Sequence, residues 1–467
     1  MTAPRPEQPS TSDFLGHPRG LAVLFATETW ERFSYFGNAA LVVLYMVKYL
    51  FDQDRVGGVL GFAAVKAGLE FVFGRLDPQP LASQLFGFYT GLAYFTPILG
   101  GLIADRLLGQ RRTVVIGGVL MAIGHFLMAF EALLLVALSF LILGIGAFKP
   151  NISTQVGLLY TADDHRRDRG YSIFYVGINI GAFLAPLICG ALAVQYGWHY
   201  GFGAAGVGML VSLVIYLLGS RTLPADELGR GRRAAATASP PPPLHNPSAA
   251  EATERAQERR AVRTLIAVCA VVTLFWAAYD QQGNTVVLWV EDFTDRSIDL
   301  GLWQGDIPSP WFLALNPLMI FVLTPLIVRL WAWQGERGRE PAPVSKMAFG
   351  CLCLALANLV MAVAAVTATG KASPLWLVGY FLLATIGELH LAPVGLALVS
   401  KIAPARIMSM MMGVWFATTL PADILGGFLG GFWSTLAKPN FFLLIAATAA
   451  LGGMGLWALR RLRSLDS

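Results

Sequence analysis

Glu28, Glu31 and Arg32 stand within five residues of one another in the stretch ETWERFSYFG, inside an apolar run that begins at Leu21 and continues to about Leu50. Lys149, Asp280 and Glu388 stand in three further apolar runs with no compensating charge nearby. A carboxylate in such a place can take a proton or bind an ammonium. A lysine can bind a carboxylate. An arginine four residues after a glutamate can form an ion pair with it on one helical face. Which of these operates depends on the elements that carry the residues.

Those elements are membrane spans. The chain has 467 residues, 55% hydrophobic and 13% charged, with mean hydropathy +0.59, whereas soluble domains carry about 25% charged residues. A helix needs roughly 20 mostly apolar residues to cross a bilayer. Twelve runs qualify, near 21–49, 81–104, 113–131, 133–158, 172–194, 201–219, 264–290, 311–330, 347–368, 375–400, 407–432 and 439–459. They are continuous rather than alternating, which argues against strands. The expected fold class is an all-α membrane protein.

The stretch 220–263 is rich in Ala, Pro and Arg and divides the runs six and six. It reads as a linker with a charged helix at 249–263. The expected plan is a tail 1–20, a six-helix bundle 21–219, the linker 220–263, a second six-helix bundle 264–459 and a tail 460–467, with a substrate site at midplane between the bundles. The segment 52–80 is too charged to span and reads as interfacial. The side holding both termini and the linker carries 25 Lys and Arg against seven on the other side. By the positive-inside rule that side is cytoplasmic. The first twenty residues contain no apolar signal-like run.

The four cysteines, Cys189, Cys269, Cys351 and Cys353, fall in apolar runs, as small buried hydrophobes do. No metal-ligand spacing or nucleophile–base pair points to an enzyme, and the net charge of +5 needs no nucleic acid to explain it. His125 and His390 read as interior histidines with their hydrogen bonds satisfied.

A charge at the centre of a spanning helix costs roughly 2.5–3.5 kcal/mol on insertion scales, so it faces a cavity or a partner. The six charges read as lying well inside spans are Glu28, Glu31, Arg32, Lys149, Asp280 and Glu388, four anions against two cations. Surplus carboxylates in a low-dielectric cavity take up protons near neutral pH, because burial and like charges both favour the protonated form. Gly387, Pro393 and Gly395 around Glu388, and Pro317 and Pro325 beyond Asn316, are helix breakers of the sort tolerated beside a cavity.

Several stretches resemble a known family. ETWERFSYFG is similar to the ExxERFxYYG signature of the proton-dependent oligopeptide transporters, within the major facilitator superfamily. GIGAFKPNIS resembles that family's fourth helix, FYVGINIGAF its fifth and GELHLAPVGL its tenth; GGLIADRLLGQRR resembles the superfamily's loop between helices 2 and 3. The resemblance implies the major facilitator fold and a monomeric, multi-pass inner-membrane symporter importing di- and tripeptides with protons, with no other cofactor. By position it implies proton coupling at Glu28, Glu31, Arg32, Lys149 and Asp280. It implies peptide binding by Lys149, Asn179, Asn316 and Glu388, with Tyr35, Tyr94, Trp276 and Trp415 lining the pocket. The family's usual second arginine is here Ala39, a tyrosine is Phe36, the seventh-helix glutamate is Asp280, and a serine is Ala392. The linker is too polar to supply the two extra helices of many prokaryotic relatives. Lys149 is therefore expected to alternate between Asp280 and the substrate carboxylate, with a closed outer gate resting on the Lys149–Asp280 pair. Another small zwitterionic or anionic cargo, or a non-transporting receptor on the same fold, are the alternatives.

Overall fold

A computed structural model describes residues 14–51, 53–161, 164, 166–224, 249–299, 304–403 and 408–460. Most of the expected N-terminal tail, residues 225–248 of the linker and residues 461–467 lie outside the described residues.

The first half begins with α1 (Arg19–Tyr45), which ends in a π-helical turn at Met46–Leu50. Two short helices follow, α2 (Gln53–Val56) and α3 (Phe62–Phe73). The next span is α4 (Pro78–Phe95) continued by α5 (Pro97–Ile103), and it bends where Pro97 cannot donate a helical hydrogen bond. Then come α6 (Gln110–Leu127), α7 (Leu134–Leu158), α8 (Arg167–Tyr196) and α9 (Trp198–Gly219). The second half holds α10 (Ala249–Tyr279), α11 (Thr285–Phe293), α12 (Leu315–Glu336), α13 (Pro343–Thr367), α14 (Leu375–Ile402), α15 (Met408–Ala417), α16 (Thr419–Gly431) and α17 (Lys438–Leu459).

Eleven helical segments among the described residues are long and apolar enough to cross a membrane. The expected run 113–131 is the exception. It forms α6, which has 18 residues and opens on Gln110, Arg111 and Arg112, and those polar residues dilute its apolar content. It nonetheless packs along α7 and α9.

Four further features depart from the expected plan. The boundary at 263/264 falls inside α10, a single helix of 31 residues that runs from the linker into the span. The expected span 264–290 is broken: α10 stops at Tyr279, a 3-10 turn occupies Asp280–Gln282, and α11 resumes at Thr285. The run 407–432 is likewise divided at Thr418 into α15 and α16. A small hairpin pairs Ser297–Asp299 with Gln304–Asp306, so the described residues are not wholly helical. Segment 52–80 contributes α3, which buries none of its residues and leaves Phe71 91% exposed.

In the first half α1 packs along α8 and α9; in the second, α13 packs along α14 and α17. The halves meet where α4 lies along α16 and where α8 meets the turn Ser309–Ala314. These contacts gather at the end away from the described chain ends. There Lys48 Nζ lies 2.5 Å from Asp292 Oδ1. Gln79 Nε2 donates to the Gly430 carbonyl at 2.9 Å, Ser83 Oγ to Asn284 Oδ1 at 2.7 Å, and Trp311 Nε1 to the Leu187 carbonyl at 2.9 Å. Glycine lets α4 and α16 approach this closely. A Cβ on Gly87 would overlap the Asp423 carbonyl, and one on Gly427 would come 2.7 Å from the Ser83 carbonyl.

A second close approach positions α7. Pro150 leaves the Gly146 carbonyl without its helical donor, and Gly100 of α5 presses its backbone against that carbonyl. Asn151 Nδ2 reaches the Gly100 carbonyl at 3.4 Å. Gly100→Val is expected to force α5 off α7, with an overpacking cost of about 1–3 kcal/mol. A lowered melting temperature of the purified protein is the expected reading, and an unchanged one would show that the two helices separate freely.

Candidate functional site

A cavity of about 480 Å³ opens between the two halves. Nine of the twelve residues expected to form the site line it: Tyr35, Tyr94, Lys149, Asn179, Trp276, Asp280, Asn316, Glu388 and Trp415. The other three, Glu28, Glu31 and Arg32, are buried on α1 outside its wall.

That triad is closely paired. Arg32 Nη2 donates to Glu31 Oε1 at 2.6 Å, and its Nε faces both Glu31 Oε2 and Glu28 Oε1, the latter at 3.2 Å. One guanidinium serves two carboxyls, and Glu28 Oε2 has no partner. Unit charges about 4 Å apart attract by about 4 kcal/mol at an effective dielectric near 20. This offsets the cost of one buried pair but leaves a carboxyl in surplus. The guanidinium carbon also lies 5.2 Å from the Tyr35 ring, which meets Tyr94 edge-on at 6.5 Å. The aromatics thus connect the triad to the cavity.

Lys149 projects from α7 with Nζ 3.7 Å from the centre of the Tyr94 ring. No acidic oxygen among the described residues lies within ion-pair distance of it. The expected Lys149–Asp280 pair is therefore not formed, although the end of the molecule it was expected to close is closed. Asp280 instead neighbours Asp423 of α16 in the cavity wall.

Across the cavity, Glu388 Oε2 accepts from Tyr279 Oη at 2.6 Å and from Asn316 Nδ2 at 3.0 Å. Asn316 also bonds Thr385 Oγ1 at 3.0 Å. Two neutral donors hold the carboxyl in place without neutralising it. Asn179 donates to the Tyr175 carbonyl one turn back at 3.0 Å. Trp415 lies over Gly395, where any Cβ would overlap the indole. Phe36, Ala39 and Ala392, the positions where the sequence departs from the family pattern, all line the cavity. The wall is less polar there than the pattern implies.

Asp423 was missed in the sequence, although it is the single charged residue of the run 407–432. It is 4% exposed and brings the anions inside spans to five against two cations. Tyr279 was also missed, because a tyrosine in an apolar run gives no signal of its own. His390 is satisfied, its Nδ1 lying 2.8 Å from the Ile386 carbonyl, but neither ring nitrogen of the fully buried His125 has a partner.

Long apolar helices around a closed-ended cavity with opposite charges on facing walls define a membrane carrier. Comparison with known proteins identifies which kind. The model of the POT family matches residues 111–232 and 234–442, and the chain belongs to that family, one of transporters and not of enzymes. The peptide transporter YePEPT of Yersinia enterocolitica is 35% identical over 91% of this chain and 89% of its own. A di-/tripeptide transporter of Lactococcus lactis subsp. cremoris is 32% identical over 96% of both. Among solved structures, a mutant peptide transporter POT in complex with alafosfalin superposes with a TM-score of 0.79 at 31% identity over 97% of both chains.

Proposed function

We propose that the protein is a proton-coupled symporter that imports di- and tripeptides by alternating access. The observation that carries this reading is the pairing of opposite free charges across one cavity. Glu388 is oriented by Tyr279 and Asn316 with no cation beside it, and Lys149 has only the Tyr94 ring. A zwitterionic peptide supplies the two missing charges, its ammonium for Glu388 and its carboxylate for Lys149. Aromatic walls at Tyr35, Tyr94, Trp276 and Trp415 accept varied side chains without demanding one. Asn179 and Asn316 add polar contacts near the peptide amino terminus. Protons are handled by Glu28, Glu31, Arg32, Lys149 and Asp280. The relatives' printed names as peptide and di-/tripeptide transporters support the cargo.

The test is uptake of a labelled dipeptide into proteoliposomes with and without a proton gradient. Glu388→Gln keeps the shape and removes the charge. Losing a charge-assisted hydrogen bond costs about 1.5–3 kcal/mol, a ten- to hundred-fold loss of affinity for a free dipeptide. Peptides with a blocked amino terminus lose little more in this variant than in the wild type. Unchanged affinity for a free dipeptide would remove Glu388 from the site.

The proposal extends to topology. Twelve spans, with α6 as the third, form two six-helix bundles over 21–219 and 264–459 in a monomer of the inner membrane, with both termini and the linker cytoplasmic. Gln79 would be a poor reporter of the outer side, since it is buried against Gly430; the exposed Asp77 is a better one. In a cysteine-free variant, a cysteine at Asp77 reacts with a membrane-impermeant thiol reagent in intact cells and one at Ser248 does not. The reverse pattern inverts the topology.

A further inference from the structure

Asp423 has a position that the functional reading above does not use. It sits on α16 in the seam between the halves, where Gly87 and Gly91 of α4 press against its backbone and Cβ. It is 4% exposed, yet it also lines the cavity. Its carboxyl and that of Asp280, which stands at the break between α10 and α11, are neighbours in the wall of one cavity, and Asp280 Oδ2 is buried without any hydrogen-bond partner.

Two ionised carboxylates are acceptors only and cannot hydrogen-bond to each other. Held as neighbours in a buried wall they repel, and a proton on one of them removes that repulsion. The other charged or titratable groups facing the pair are Lys149 from α7, Tyr94 from α4, Tyr35 from α1 and Tyr380 from α14. Lys149 is the single cation among these, and it stands over Tyr94 rather than in an ion pair. Without the proton, closing the seam would bury two negative charges against one positive. With one proton shared, the pair carries one negative charge, and Lys149 faces it from α7.

We propose that Asp423 and Asp280 form a carboxyl pair that holds one proton, and that this proton must be on board before α4 and α16 can close together. It enters from water while the seam is open and binds as a single O–H···O bridge. Burial of Asp423 then traps it, and it leaves through the cavity when the opposite end opens. This inference rests on the proton-coupled reading, and supplies it with a partner for Asp280.

Proteoliposome assays on wild type, Asp423→Asn and Asp423→Glu test it, comparing gradient-driven accumulation of a labelled dipeptide with gradient-free counterflow. Asp423→Asn needs no proton to close. It should keep counterflow within about three-fold of wild type, lose at least ten-fold of driven accumulation, and lose the dependence of seam closure on pH. Asp423→Glu should recover part of the driven accumulation. Asp280→Asn and the double variant should be no worse than Asp423→Asn, because one shared proton can be lost only once.

Wild-type accumulation with an unaltered pH profile in Asp423→Asn overturns the inference, and so do single effects that multiply in the double variant. Should the variants not fold, the wild type is decisive alone. Spin labels on α4 and α16 should report a closed population that rises as pH falls, and a closed population indifferent to pH overturns the proposal. Wild-type vesicles that accumulate no peptide under a gradient defeat the symport reading itself. A driven wild type with an indifferent Asp423→Asn defeats only this inference.

Discussion

Lys149→Gln is expected to abolish gradient-driven peptide uptake and to weaken peptide binding ten- to hundred-fold. The binding loss follows from removing a charge-assisted hydrogen bond worth about 1.5–3 kcal/mol. The transport loss is larger because Lys149 has two tasks. In the proposed cycle it receives the substrate carboxylate, and it supplies the positive charge that faces Asp423 of the Asp423–Asp280 pair when the seam is shut. In the present conformation it is held by the Tyr94 ring at 3.7 Å, a contact of about 0.5–2 kcal/mol. That is weak enough for an arriving carboxylate to displace. Asp280→Asn touches only the second task, so it should impair driven uptake and spare binding. Ala39→Arg places a new cation in the cavity wall and should partly rescue binding in Lys149→Gln. Driven uptake at the wild-type rate in Lys149→Gln would end this account of the lysine.

Gly87→Leu is expected to stop transport without removing any charged group. Gly87 lies against the Asp423 carbonyl, with Gly427 Cα 3.2 Å from where its Cβ would be. The neighbours are backbone, so they cannot swing aside as a side chain could. Overpacking costs about 1–3 kcal/mol in ordinary cores, and each 1.4 kcal/mol shifts an equilibrium about ten-fold. Even Gly87→Ala should move the population between seam-closed and seam-open states by about five- to hundred-fold. Gly87→Leu should hold the seam open. Spin-label distances between α4 and α16 should lengthen, while peptide added from the open side still binds. Normal uptake by Gly87→Leu would show that α4 and α16 need not meet.

The charged residues told most of the site because their cost inside a membrane leaves few explanations. Glu388, Lys149 and Asp280 could be placed at a cavity before any geometry was known, and all three line it. The triad on α1 was equally legible, since Glu28 and Arg32 are one helical turn apart. What escaped was pairing between distant segments. Lys149 and Asp280 looked like natural partners by charge, but the break at Asp280–Gln282 leaves the aspartate as a neighbour of Asp423 in the cavity wall. Periodicity could not show that break, because both flanks stay apolar. The same limit hid the division at Thr418, whereas the bend at Pro97 follows from a residue that cannot donate. The resemblance to the transporter family, carried by five separate stretches, agreed with the family match and the superposed structure.

The helix α10 has a mechanical consequence. At about 1.5 Å per residue its 31 residues make a rod of about 46 Å, longer than the roughly 30 Å of a bilayer's hydrocarbon core. One end is tied to the linker, and the other ends one residue before Asp280. A rod of that length is a lever with its short arm at the carboxyl pair. A tilt of about 10° sweeps the far tip through about 8 Å for a helix rising ~1.5 Å per residue, while the residues beside Asp280 barely move. A spin label at Ala249 should therefore show a larger displacement between the two closed ends of the cycle than one at Tyr279. Equal displacements would mean that the rod slides rather than tilts. Tension or slack in the linker is, in this geometry, torque on the break that holds Asp280.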